Sequence, residues 1–200
     1  MNNDMRDLVQ KGYDVYSKNY TSDRDQFKNQ KYLDDLINKL RKGSSILDLG
    51  CGSGIPVDKY LLEHGFKVTG IDISTEQIKL AKEHLPSGDF FQKDMSQVDF
   101  AENTFDAIVS FYAIFHIPRE EHQELLGNCY RMLKRDSYLL ITMGSSDWVG
   151  SEEFHGTTMY WSHYGREKNV EMVKAAGFEI TYEVVDESGN EKHLVVFAKK

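Results

Sequence analysis

The 200-residue chain has little cysteine, no basic excess and no long apolar run, and each shortage removes a class of function. Its two cysteines, Cys51 and Cys129, lack the paired spacing of a metal site and cannot build a disulfide framework. Lys and Arg number 24 against 32 Asp and Glu, a net charge of −8. That is the wrong sign for a surface that grips nucleic acid. No apolar stretch approaches the roughly 20 residues that span a bilayer. The opening Met1-Asn2-Asn3-Asp4 is too polar for a signal peptide. No repeat or low-complexity linker interrupts the sequence. The expectation is one cytoplasmic domain with a well-filled core, a monomer or homodimer, without nucleic-acid or membrane partners.

What is present centres on Ile46-Leu47-Asp48-Leu49-Gly50-Cys51-Gly52-Ser53-Gly54. Four apolar or strand-end residues run into a glycine-rich turn, and Pro56 then suits the first position of a helix. Glycines permit left-handed backbone and close approach of a ligand. A strand, such a turn and a helix start together make a nucleotide-type crevice. A dinucleotide fingerprint would want Gly or Ala three residues after Gly52, where Ile55 stands. Asp48, at the strand end, would repel a pyrophosphate and attract an ammonium. S-adenosylmethionine (SAM) has no phosphate and carries an ammonium, a carboxylate and a sulfonium.

Later strands extend the pattern. Lys67–Ile73 reads as a second strand with Asp72 at its tip, 18 residues past Gly54. An acid there accepts from ribose hydroxyls, for NAD and SAM alike. Ser74 and Gln77 form a capping-box signature for a helix over 75–84. Asp89–Met95 reads as a third strand, with Asp94 and Met95 at its end. Phe105–Phe111 is nearly all apolar, as a strand covered on both faces should be. A fifth strand covers Ser137–Met143, and a helix spans 165–176. Phe178–Val185 and His193–Ala198 then form an antiparallel hairpin across a short turn at 186–190.

The run D-L-G-C-G-S-G resembles motif I of the class I SAM-dependent methyltransferases of the small-molecule type, and the parallel sheet closed by an antiparallel hairpin is similar to theirs. The resemblance implies an α/β fold: a doubly wound, Rossmann-like seven-stranded sheet with its last strand antiparallel. It implies an N-terminal helical cap over 1–43, a cofactor-binding core over 44–200, and 144–164 as a lid segment over the acceptor. It places SAM, and its product S-adenosylhomocysteine (SAH), against Tyr20, Asp48, Gly50, Cys51, Gly52, Gly54, Asp72, Ile73, Gln77, Asp94, Met95 and Ser110. In such proteins the Asp after the third strand accepts from the adenine amine. The family's N-terminal Y-D-x-x-(S/A)-x-x-Y stretch is matched by Tyr13, Asp14, Ser17 and Tyr20.

The end of the fourth strand, where donor and acceptor should meet, again informs by what it lacks. There is no N/D-P-P-Y, no Asp placed as a metal ligand, and no cysteine for covalent attack. His116 follows instead, in an F-H-I-P run that resembles a widespread family pattern, which favours packing or a structural hydrogen bond over general-base chemistry. His155 and His163 are further candidate bases. The segment 144–164 holds Trp148, Phe154, Tyr160, Trp161 and Tyr164; it reads either as an aromatic pocket wall or as a helix hairpin packed on the sheet. Tyr13 and Tyr16 share a helix face over 5–20, either as core packing or as a lid. Together Tyr13, Tyr16, Trp148, Tyr160 and Trp161 form the expected substrate pocket. The expected function is transfer of methyl from SAM to an oxygen or nitrogen of a small molecule, without metal. A non-catalytic SAM- or SAH-binding regulator and an NAD-type oxidoreductase are the alternatives.

Overall fold

The computed structural model describes residues 2–23, 29–188 and 191–200, with side chains at 2–4 and 18–23 outside the description. Phe27, Gly189 and Asn190 therefore lie outside the described residues, as does the side chain of Tyr20.

Two helices precede the sheet: α1 (Asn2–Asp23) and α2 (Gln30–Ile37). Then β1 (Ser45–Leu49), α3 (Val57–Glu63), β2 (Lys67–Asp72), α4 (Thr75–His84), β3 (Asp89–Gln92) and β4 (Phe105–Ser110) alternate. They are followed by α5 (His122–Met132), β5 (Leu133–Gly144), β6 (Trp148–Phe154), β7 (Thr157–His163), α6 (Arg166–Ala175), β8 (Glu179–Asp186) and β9 (His193–Lys199). Seven strands form one sheet in the order β3-β2-β1-β4-β5-β9-β8. All neighbours up to β5 are parallel, and β9 is antiparallel to both β5 and β8. The expected seven-stranded mixed sheet is the fold.

Alternate residues of the central strands serve opposite faces. Leu47 and Ile108 face α5 and α6, packing with Leu125, Met132 and Val173. Ile46 and Val109 face α2 and α3, packing with Leu33, Leu36 and Leu61. Burial on both faces explains the near-continuous apolar runs, which only a sheet sandwiched by helices can use. Strand order reverses between β1 and β4, so a crevice opens beyond their carboxyl ends.

Several expected boundaries move. Pro56 is the N-cap of α3 and the helix starts at Val57. The third strand ends at Gln92, because Asp94 turns the chain by capping a short 3-10 helix, Met95–Gln97, through Ser96 N. A 3-10 turn, Arg119–Glu121, leads into α5.

The segment 144–164 is not a helix hairpin. It is a two-stranded antiparallel ribbon, β6 with β7, paired from Trp148 with His163 to Phe154 with Thr157. The two connecting residues, His155 and Gly156, have φ of 49° and 83°. Two successive positive φ values are what a tight two-residue hairpin turn requires. The aromatic content of the segment carries no helix or strand signature, and His at the first turn position hides the hairpin. α1 lies across this ribbon, sharing with it a small apolar cluster built on Val9, Met159 and Tyr160. A Cβ on Gly12 would lie 2.6 Å from Cε of Met159, so the helix sits close on β7.

Candidate functional site

A crevice of about 540 Å³, counted with its open mouth, lies beyond the ends of β1, β2, β3 and β4. Its floor is the glycine loop. Gly50 and Gly52 have φ of 80° and 55°. A Cβ on Gly50 would stand 2.2 Å from Cβ of Ala113, so only glycine lets the loop beyond β1 meet the loop beyond β4. The amides of Gly50 and Cys51 both donate to the carbonyl of Ile71, pinning the loop to β2.

Asp72 forms one wall. Its Oδ2 accepts from Gly52 N at 2.9 Å and its Oδ1 from Ser74 N at 2.8 Å. It is both a turn residue and a crevice residue. Ile73, Lys93, Asp94 and Met95 continue that wall, and Val9 and Tyr13 of α1 close the top. The N-terminus of α4 is capped from two sides. Ser74 Oγ accepts from Gln77 N at 3.1 Å, and Asp14 of α1 accepts from Ser74 Oγ at 2.5 Å and Glu76 N at 3.2 Å.

Opposite stand Tyr112, Ala113 and His116. Tyr112 has φ of 58°, uncommon for a bulky residue, and is held there by its amide donating to Thr142 Oγ1 at 2.5 Å. His116 is buried, with Nδ1 2.9 Å from the Tyr160 carbonyl and Nε2 2.8 Å from the Tyr13 hydroxyl. A carbonyl only accepts, so Nδ1 carries the proton and Nε2 accepts from Tyr13.

Of the residues expected to meet the cofactor, Gly50, Gly52, Asp72, Ile73, Asp94 and Met95 line the crevice. Asp48, Cys51, Gly54, Gln77 and Ser110 do not. Ser110 Oγ instead donates to Leu49 O at 2.7 Å, tying β4 to β1. Gln77 is fully buried within α4's packing, its side-chain amide without a hydrogen-bond partner among the described residues. Gly54, with φ of 77°, packs against Leu85. Cys51 packs with Ile78, Ala81 and Phe90. Burial, and the nearby Asp58, Asp72 and Asp48, push its thiol up, so it stays protonated.

Asp48 is 2 % exposed behind the loop, beside a residue the sequence reading passed over. Asp58, in the first turn of α3, is fully buried, and no described N–H or O–H group donates to either of its oxygens. Burial and the adjacent Asp48 carboxyl hold Asp58 well above the usual carboxylate range. Two buried carboxyls of this kind share one proton rather than both ionise.

Among the expected acceptor residues, Tyr13 reaches the crevice. Tyr16 is buried against the ribbon, stacking on His155 with ring centres 3.9 Å apart. Tyr160 contributes its carbonyl to His116, and Trp161 lies behind that ring at 5.8 Å. Trp148 is exposed on β6, and His163 Nδ1 meets Ser146 O at 2.6 Å. Of the three candidate bases, only His116 lines the crevice.

Comparison with known proteins follows this geometry. A family model described as a methyltransferase domain matches residues 46–136. The chain is 32 % identical over 145 residues to phosphoethanolamine N-methyltransferase of Plasmodium falciparum, covering 70 % of this chain and 54 % of that one. It is 33 % identical over 131 residues to 24-methylenesterol C-methyltransferase 3 of Arabidopsis thaliana, covering 60 % and 33 %. The chain thus spans about half the length of the first relative and a third of the second. Among solved structures, a SAM-dependent methyltransferase of Methanosarcina mazei superposes with a TM-score of 0.71 at 26 % identity, over 83 % of this chain and 96 % of that one.

Proposed function

Because the chain belongs to the class I SAM-dependent methyltransferases, we propose that its crevice holds SAM and that it moves the methyl group to an oxygen or nitrogen of a small molecule. The residues present fit that cofactor. Asp72 places a carboxylate at the tip of β2, on the wall where ribose hydroxyls would lie, Asp94 offers an acceptor for an amine on adenine, and Ile73 and Met95 offer apolar faces beside it. Asp48, beneath the loop, supplies the negative field for the ammonium. When bound, SAM supplies an electrophilic methyl on its sulfonium, displaced in line to leave SAH.

The chain's own task is to orient the acceptor, exclude water and take a proton. Orientation alone is worth roughly 7–11 kcal/mol of a barrier. The Tyr13–His116 pair carries this reading. An acceptor O–H or N–H set against the Tyr13 oxygen hands over its proton as Tyr13 passes its own to His116 Nε2. The imidazolium formed is held by the Tyr160 carbonyl at Nδ1. Such a base is worth about 10²–10⁴-fold.

Calorimetry with SAH tests the cofactor reading. Transfer of labelled methyl to a panel opening with phosphoethanolamine and a methylenesterol, the acceptors in the relatives' names, tests the rest. SAH binding without turnover on amines, phenols or these acceptors would leave a regulatory binder. Tight NADH binding without SAH binding would overturn both readings.

A further inference from the structure

The N-terminal helix sends a guanidinium to the adenine side of the crevice. Arg6 of α1 donates from Nε to Asp94 Oδ2 at 2.5 Å, and from Nη2 to Ser96 Oγ at 2.8 Å and Glu121 Oε2 at 2.6 Å. The Arg6 and Asp94 side chains are only 16 % and 14 % exposed, so this is a charge-assisted contact largely shielded from water. Asp94 Oδ1 is filled by Ser96 N at 2.9 Å and Ser96 Oγ at 2.8 Å. A carboxylate offers about four acceptor positions. Ser96 takes two and Arg6 one, which leaves one, on Oδ2.

We propose that Arg6 is a positioning residue for cofactor recognition: it fixes the Asp94 carboxylate so that its single remaining lone pair reads the adenine amine. The proposal rests on the adenine role of Asp94 given above. The fork does a second thing. Glu121 lies just before α5 and Asp94 just after β3, so one guanidinium joins the cap to two separate rims of the crevice. With the cap in place, Asp94 accepts one N–H donor more and no second one. A base that presents a carbonyl where adenine presents its amine meets a carboxylate oxygen and is rejected. Without Arg6, Ser96 still holds Oδ1, but a second position opens on Oδ2 that accepts donors other than the amine, so the amine is read less strictly.

The test compares SAH with S-inosylhomocysteine, whose base carries an oxo group in place of the amine and a proton on the adjacent N1. Calorimetry on the full chain gives both dissociation constants for wild type, Arg6→Ala, Arg6→Lys and Asp94→Ala. Wild type should prefer SAH by roughly tenfold or more, the worth of one charge-assisted hydrogen bond. Arg6→Ala should cut that preference to about threefold or less, and Arg6→Lys, which keeps charge without the fork, should also lose most of it. If Arg6→Ala weakens both ligands equally and keeps the ratio, Arg6 only packs the cap, and the proposal is overturned. If Asp94→Ala keeps the wild-type ratio, the adenine role of Asp94 fails, and this inference with it. Should Arg6→Ala not fold, the ratio in Arg6→Lys decides by the same criterion.

Discussion

The hydroxyl of Tyr13, on the cap helix, stands 2.8 Å from Nε2 of His116, on the loop beyond β4, 103 residues later in the chain. Under the proposed function, the contact makes a cap residue part of the proton path. Tyr13→Phe should lower kcat by about tenfold or more, and His116→Ala by about 10²-fold or more, with SAH affinity changed little in either. Steady-state kinetics beside calorimetry check this. Full kcat in His116→Ala would reduce the pair to a structural hydrogen bond.

Asp58 gives the protein a pH dependence opposite to that of an ordinary paired acid. Burial and the neighbouring Asp48 raise its folded-state value, while the unfolded chain releases the same proton near 3.9. The titratable groups that act with it are Asp48 on β1 and Cys51 in the loop. Between 3.9 and the raised value the folded chain binds more protons, so stability falls as pH rises, by about 1.4 kcal/mol per pH unit. Asp58→Asn removes the ionisation. Urea denaturation in steps upward from pH 4.5 should show the variant gaining on wild type until the raised folded-state value is passed; parallel curves throughout would contradict the shared proton.

His122 acts in the other direction. It is 1 % exposed, and burial pushes its pKa down to about 4 although the carbonyls of Ile117 and Ile114 oppose the shift. Unfolding lets it take a proton below about 6.5. Stability is therefore lost as pH falls from about 6.5 to about 4, at about 1.4 kcal/mol per unit from this group. In His122→Phe the loss over that window should shrink correspondingly, measured by urea midpoints at pH 7.0 and 5.0.

Gly50→Ala should be severe for two separable reasons. The new methyl would meet Ala113 Cβ at 2.2 Å, and φ of 80° is costly for any side chain. Adding Ala113→Gly removes the clash and leaves the backbone cost of about 1–2 kcal/mol. Thermal melts of the single and double variants should show partial recovery. No recovery would mean the loops do not meet as described.

The sheet was legible because each central strand carries a signal its own length, and because Gly50, Asp72 and Asp94 sit where strands stop. Asp48 was read as a crevice acid, but burial behind the loop pairs it with Asp58, and that pairing depends on where α3 begins. Ser110 and Gln77 lie outside the crevice lining for a related reason: a polar residue near a strand end can bond backwards into the sheet or bury itself in a helix, and spacing does not distinguish these from a ligand contact. Arg6 gave no signal, since a lone arginine in a polar helix finds its partners only when that helix folds back over residues 94 and 121. The ribbon was hidden by His155, which occupies a turn position that Asn or Gly would have announced.

The cap helix and the ribbon share an apolar cluster of their own, apart from the two layers that flank the sheet. Packing changes at Met159 and Tyr160 on the ribbon therefore need not disturb the two layers that support the strands. Under the proposed function, acceptor preference can drift on the ribbon side, whereas Val9, Tyr13 and Arg6 on the helix are constrained by the crevice they help to close.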